Sequence, residues 1–187
     1  MLLDQKRTRR TVQVVAILTS IAFGGVIIVV LGLVFFGGGG TSVEDQLLSD
    51  AQARVQQEPS NPDAWEQLAS AHRAKDELPE AVDAAERALA LAPNDFSRLQ
   101  TLISLQLDQD NSAAAIAALT DFTARNPQNA DAFLQLGQQA QEAGRTQLAR
   151  LSYEAFLRLA PDDSNAEAVR ERLTQLAGTG AQTTPAG

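Results

Sequence analysis

Four stretches of the sequence repeat one pattern: EPSNPDAW at 58–65, LAPNDFSRL at 91–99, RNPQNADAF at 125–133 and LAPDDSNAE at 159–167. Successive prolines in these stretches are 34 residues apart: Pro59, Pro93, Pro127 and Pro161. Proline cannot continue a helix, and the Asn, Asp and Ser side chains beside it satisfy the free N–H groups of the next helix. Each stretch therefore predicts a helix end, a short polar turn and a new helix start.

Between the prolines, apolar residues recur at the three- and four-residue spacing of a buried helix face. A polar break divides each period into two helices, for example at residues 74–77 and at Gly144. The apolar positions of the three periods are Trp65, Leu68, Ala69, His72, Ala81, Ala85, Ala88 and Leu89, then Phe96, Leu99, Leu102, Ile103, Ala115, Leu119 and Phe122, then Phe133, Leu136, Gly137, Ala140, Ala149, Tyr153 and Phe156.

This 34-residue pattern resembles the tetratricopeptide repeat (TPR) family. The first period matches at Trp65, Leu68, Ala69, Ala81, Ala88 and Pro93, and the third at Phe133, Leu136, Gly137, Ala149, Tyr153 and Pro161, whereas the second is degenerate. The resemblance implies an all-α superhelix of antiparallel helix pairs. Its expected parts are a capping helix at 43–57, repeats at 62–95, 96–129 and 130–163, and a terminal capping helix at 164–177.

The N-terminal segment 12–36 has no charged residue, and its 25 residues form a helix of about 37 Å, long enough to span a membrane. The basic arm 1–11 has a net charge of +3, which predicts a cytoplasmic N-terminus and an extracytoplasmic repeat domain at the plasma (inner) membrane of a bacterium. The alternative is a cleaved signal peptide that leaves a secreted binding module. Residues 37–42 are expected to form a flexible glycine linker, and 178–187 a disordered tail.

One face of the predicted membrane helix has small residues at four-residue multiples: Ala16, Ser20, Gly24 and Gly32. Such faces let two helix backbones approach closely. They favour helix–helix association, and a homo-oligomeric structural membrane protein is therefore the alternative function. Glycine and alanine are also simply common in membrane helices.

Little in the sequence points to catalysis. There is no cysteine, and the single histidine, His72, falls at a packing position of the repeat. The glycine run at 37–40 lacks the lysine of a phosphate-binding loop. We therefore expect no enzyme activity, no cofactor and no metal. The whole chain carries −8 and the part after residue 11 carries −11, which disfavours nucleic acid and favours a neutral or basic protein partner.

In the TPR family, the first helix of each repeat lines a concave face with residues that packing does not use. The resemblance places thirteen residues there: Asp63, Glu66, Ser70, Arg73, Ser97, Gln100, Ser104, Leu107, Asp131, Leu134, Gln135, Gln138 and Gln141. Amides and hydroxyls beside two leucines suit an extended or helical peptide segment. A basic clamp for acidic chaperone tails is absent, because the matching positions hold Glu66, Ser70, Thr101, Asp131 and Gln135.

The favoured function is a membrane-tethered TPR scaffold that binds another protein and assists assembly, export or maturation of extracytoplasmic proteins. Its plan is similar to that of two bacterial groups with one N-terminal anchor. These are ancillary subunits of the protein-export translocon and cytochrome c maturation factors that hold the unfolded apocytochrome. No motif connects this sequence to either group, so the similarity is one of architecture.

Overall fold

The computed structural model describes residues 42–180, and in this part of the chain it contains eight α-helices and no strand. They are α1 (Val43–Gln57), α2 (Pro62–Ala74), α3 (Leu78–Leu91), α4 (Phe96–Asp108), α5 (Ser112–Arg125), α6 (Ala130–Glu142), α7 (Thr146–Leu159) and α8 (Ala166–Gly180). The predicted basic arm, the membrane helix with its small-residue face and nearly all of the linker lie outside the described residues. Between residues 42 and 180, no helix is long and apolar enough to cross a membrane.

Each helix packs against the next one along the chain. The pairs α2/α3, α4/α5 and α6/α7 form the first, second and third repeats, and α1 and α8 cover the two ends of the stack. This is the all-α TPR superhelix, in which every pair buries its apolar face against its neighbours.

The polar turns between repeats end in helix caps with the same 34-residue period as the prolines. The side-chain oxygen of Asn61 accepts a hydrogen bond from the backbone N–H of Asp63 at 2.9 Å. Asp95 and Asn129 cap α4 and α6 in the same way. Capping satisfies N–H groups that have no partner inside the helix. The role predicted for these Asn and Asp residues is confirmed.

The turns inside the repeats also recur. Asp76, Asp110 and Gly144 have φ values of 60°, 57° and 69°. In each turn a backbone N–H one residue later reaches back five residues, for example from Arg145 to the carbonyl of Ala140 at 2.7 Å. This is a Schellman helix end, which needs one residue in the left-handed region. Glycine occupies that position in the third repeat only.

The core is built from the predicted apolar positions and falls into two clusters. The first extends from Ala51 to Leu136, and the second comprises Ala140, Ala149, Tyr153, Phe156 and Val169. Two expectations need correction. Leu47, placed with the packed side of α1, is 51% exposed because the chain's described part has no helix outside α1 to cover it.

The second correction concerns the C-terminal end. Helix α8 runs from Ala166 to Gly180, whereas disorder was expected from residue 178. The apolar positions end at Leu176, but adding a turn to an already packed helix costs little free energy. The predicted tail from 181 to 187 lies outside the described residues.

Candidate functional site

The first helices of the three repeats, α2, α4 and α6, carry all thirteen residues expected on the concave face. None of the thirteen is buried. Six are exposed, namely Asp63, Ser70, Arg73, Ser97, Gln100 and Asp131. Seven are partly exposed, namely Glu66, Ser104, Leu107, Leu134, Gln135, Gln138 and Gln141. Accessibility is therefore retained at every predicted position.

Ion pairs connect α2 and α4 across this face. Arg98, whose side chain is 13% exposed, pairs with Asp63 and Glu66 of α2 and with the cap residue Asp95. Arg73 Nη2 lies 2.7 Å from Asp108 Oδ2. The charged predicted residues of the first repeat therefore have partners within the protein.

The surroundings of Arg98 hold it firmly in its charged form. Partial burial acts to lower its pKa, but the hydrogen bond with Asp63 and the carboxylates of Glu66 and Asp95 outweigh burial and raise it. A guanidinium between three carboxylates fixes α2 against α4.

The middle of the face is less committed. Leu107 of α4 packs against the first core cluster and Leu134 of α6 against the second, and both remain partly exposed. Beside them, the side-chain amides of Gln100 and Gln138 make no hydrogen bond within residues 42–180. This region thus combines two accessible apolar side chains with free amide donors and acceptors.

A pocket of about 500 Å³ lies at the α6–α8 end, lined by Gln138, Gln141, Glu142, Tyr153 and Arg172. The buried Tyr153 donates its hydroxyl hydrogen to Gln141 Oε1 at 2.8 Å and accepts from Arg172 Nη1 at 3.4 Å. Burial raises the pKa of Tyr153, although the hydrogen bond and positive charge of Arg172 act to lower it. The phenol is therefore neutral at physiological pH and available for hydrogen bonding.

The sequence reasoning missed Arg98 and Arg172. Arg172 lies 34 residues after Gln138 and 68 after Ser104, so it falls at the same repeat position as two predicted residues. Treating 164–177 only as a cap concealed this register. Arg98 is harder to find, because its partners lie 32 and 35 residues earlier on a neighbouring helix.

A separate crevice lies between α2 and α3. It has a volume of about 680 Å³ and is lined by the half-buried Trp65 with Leu68, His72 and residues of α3. His72 Nδ1 is 2.7 Å from Glu77 Oε2, so the histidine holds the turn between the helices. Among residues 42–180, no three His, Cys, Asp or Glu side chains are grouped to hold a metal ion.

Comparison with known proteins agrees with the repeat geometry. Two tetratricopeptide repeat family models match residues 62–95 and 101–164, together about half of the chain. The chain belongs to the tetratricopeptide repeat family. A TPR fold is a scaffold for protein–protein interaction. A search of curated proteins finds no match.

Several solved structures share the fold. MamA is 19% identical with a TM-score of 0.52, over 74% of this chain and 90% of MamA. YrrB, described as a TPR protein with an unusual peptide-binding site, is 16% identical with a TM-score of 0.51, over 76% and 79% of the two chains. The first TPR domain of Spaghetti (RPAP3), bound to an HSP90 peptide, is 16% identical with a TM-score of 0.51, over 65% and 94%. At these identities the likeness establishes the fold alone.

Proposed function

We propose that this TPR protein is a membrane-tethered scaffold that binds a segment of another protein on the face formed by α2, α4 and α6. The observation that carries the proposal is the middle of that face. There Leu107 and Leu134 are partly exposed beside Gln100 and Gln138, whose amides have no partner within residues 42–180.

This surface suits a peptide segment with one or two apolar anchors. Burying an anchor against the leucines removes apolar area from water, at about 25 cal/mol per Å². The amides offer both donors and acceptors to the peptide backbone. The part of the chain after residue 11 carries −11, so a neutral or basic segment is attracted and a strongly acidic one repelled.

The solved relatives lend support from their own ligands. The RPAP3 domain is bound to an HSP90 peptide, and YrrB has a peptide-binding site. Here the positions that match a basic clamp hold Glu66, Ser70, Thr101, Asp131 and Gln135. We therefore propose a peptide partner other than an acidic chaperone tail.

The tether is the uncharged segment 12–36 behind a basic arm. In the proposal, the repeat domain lies outside the cytoplasm and holds a secreted or membrane protein near the outer surface of the membrane. Such a position suits assistance in assembly, export or maturation of extracytoplasmic proteins.

The experiment is site-specific photo-crosslinking of the full chain in intact cells. A photoreactive residue replaces Gln100 or Gln138 on the concave face, and Gln52 or Gln147 on exposed positions elsewhere. We expect one discrete heterologous adduct from the two concave positions and none from the other two. Equal adducts from all four positions would contradict the proposal. Adducts with a second copy alone would favour the homo-oligomer, with Gly24→Leu as its test.

A matched pair of variants removes the face without removing the fold. One carries alanine at Gln100, Leu107, Leu134 and Gln138. The control carries alanine at Gln52, Leu91, Gln147 and Leu151, two glutamines and two leucines that are also accessible. With equal circular dichroism, only the first variant is expected to lose the adduct, with the photoreactive residue at Ser97 in both.

A further inference from the structure

Arg172 differs from the other arginines of the concave face. Arg73 and Arg98 both pair with carboxylates. For Arg172, the hydrogen bond from Nη1 to Tyr153 Oη at 3.4 Å is the single polar contact within residues 42–180. A guanidinium has five N–H donors, so most of its donors remain free.

The neighbours of Arg172 add further donors to the same pocket. Gln141 uses Oε1 to accept from Tyr153, which leaves its NH₂ group without a partner within the described residues. The amide of Gln138 is also free there. The pocket of about 500 Å³ is thus lined by one cation and two amide groups that can donate hydrogen bonds.

We propose that this pocket binds a carboxylate of the partner segment, either its C-terminus or an acidic side chain. The inference rests on the proposed peptide-binding function and adds an end point to that face. A planar guanidinium matches the two oxygens of a carboxylate, and the amides supply additional bonds. The contact with the buried Tyr153 limits the positions that the guanidinium adopts.

Glu142 provides the opposing charge. It lines the pocket, but no oxygen of it lies within 4.0 Å of Arg172, and Oε2 accepts a hydrogen bond from Gln139 at 3.1 Å. A bound carboxylate is repelled by Glu142, whereas a bound cation is attracted by it. Removing this charge therefore changes affinity in opposite directions for the two kinds of ligand.

The protein contains its own reporter for this pocket. Tyr153 is the single tyrosine of the chain, so ¹³C-labelled tyrosine gives one ring signal that comes from the pocket wall. The full chain in a neutral detergent is titrated with three acetylated tetrapeptides. They are tetra-alanine with a free C-terminus, the same peptide as its amide, and the amide with glutamate at the third position.

We expect a saturable shift of the Tyr153 signal with at least one carboxylate peptide and a much weaker effect of the neutral amide. The free-terminus and glutamate arms identify which carboxylate is preferred. Equal binding of the neutral amide, or no shift with either carboxylate peptide, overturns the inference.

Three variants complete the test. Arg172→Gln should weaken carboxylate binding about tenfold or more, since hydrogen bonds to a charged group are lost. Glu142→Gln should strengthen it about threefold through removal of like charge. Arg158→Gln removes the same charge from exposed α7 and should leave affinity unchanged. Weaker binding by Glu142→Gln, or equal losses in both arginine variants, contradicts a specific carboxylate site.

The outcomes separate this inference from the proposed function. Concave-face crosslinks that persist in Arg172→Gln, together with no carboxylate preference, leave the scaffold intact and remove the carboxylate pocket. Carboxylate binding without concave-face crosslinks does the reverse.

Discussion

The first and third repeats fill the same place between their two helices in different ways. In the third repeat the ring of the buried Tyr153 lies against Gly137, where an added Cβ would be 2.5 Å from Cδ1 and Cε1. The corresponding residues 68 positions earlier are Ala69 and Ala85, both buried. One large side chain on a glycine therefore replaces two small ones in an otherwise equivalent helix pair.

The crevice beside each pair differs in the same sense. In the third repeat it measures about 270 Å³, is lined by leucines of α7, and is also lined by residues of α5. In the first repeat it measures about 680 Å³, is lined by Glu80 and Asp83, and no residue of α1 lines it. The comparison teaches that the third repeat is tightly closed, whereas the first leaves half of an indole open to water.

The strongest test of the comparison concerns the ring of Tyr153. Tyr153→Ala should lower the free energy of unfolding by about 3–5 kcal/mol, because it empties a fully buried site. Gly137→Ala should lower it by about 1–3 kcal/mol, because the new methyl group collides with the ring. Urea unfolding followed by circular dichroism measures both.

Combining the two changes sharpens the argument. Once Tyr153 is alanine, the obstacle is gone, and Gly137→Ala should instead stabilise by about 1 kcal/mol through better helix propensity. If Gly137→Ala destabilises equally with and without the ring, the glycine is required for some other reason.

A smaller effect is expected in the first repeat. Trp65→Ala should cost about 2 kcal/mol, less than Tyr153→Ala, because part of the indole already faces the open crevice. The substitution also removes the hydrogen bond from Nε1 to the carbonyl of Pro59 at 2.8 Å. A loss as large as that of Tyr153→Ala would show that the first repeat is as closed as the third.

The smallest effect should appear at alkaline pH. Burial raises the pKa of Tyr153 above its ordinary value of 10.0, so the unfolded chain loses its proton first. Its contribution to stability is complete below about pH 10 and is lost as pH rises toward the folded pKa. Urea unfolding at pH 9 and 11 should show a smaller decline in Tyr153→Phe than in the unaltered protein. Identical declines would place the phenol in water.

Much of the fold is predictable because its signals are local. Proline spacing and the caps at Asn61 and Asp95 depend on neighbouring residues, and the helix-pair arrangement follows from them. The exposure of Leu47 was not predictable, since it depends on whether another helix covers α1. The length of α8 depended on cooperative helix growth past Leu176.

The candidate site was predictable in position but not in pairing. The repeat register places Gln100, Leu107 and Gln138 on accessible helix faces. It does not indicate that Arg98 binds carboxylates from a helix more than thirty residues earlier. Such contacts depend on side-chain reach between neighbouring repeats, which a 34-residue pattern does not encode.

The division of the core into two clusters has a consequence for how the domain comes apart. Trp65, the single tryptophan, packs against the first cluster, and Tyr153, the single tyrosine, belongs to the second. Stacked repeats interact with their nearest neighbours, so the two ends can lose structure at different denaturant concentrations. The natural fluorescence of the two rings thus distinguishes melting from one end from a concerted transition, with no label attached.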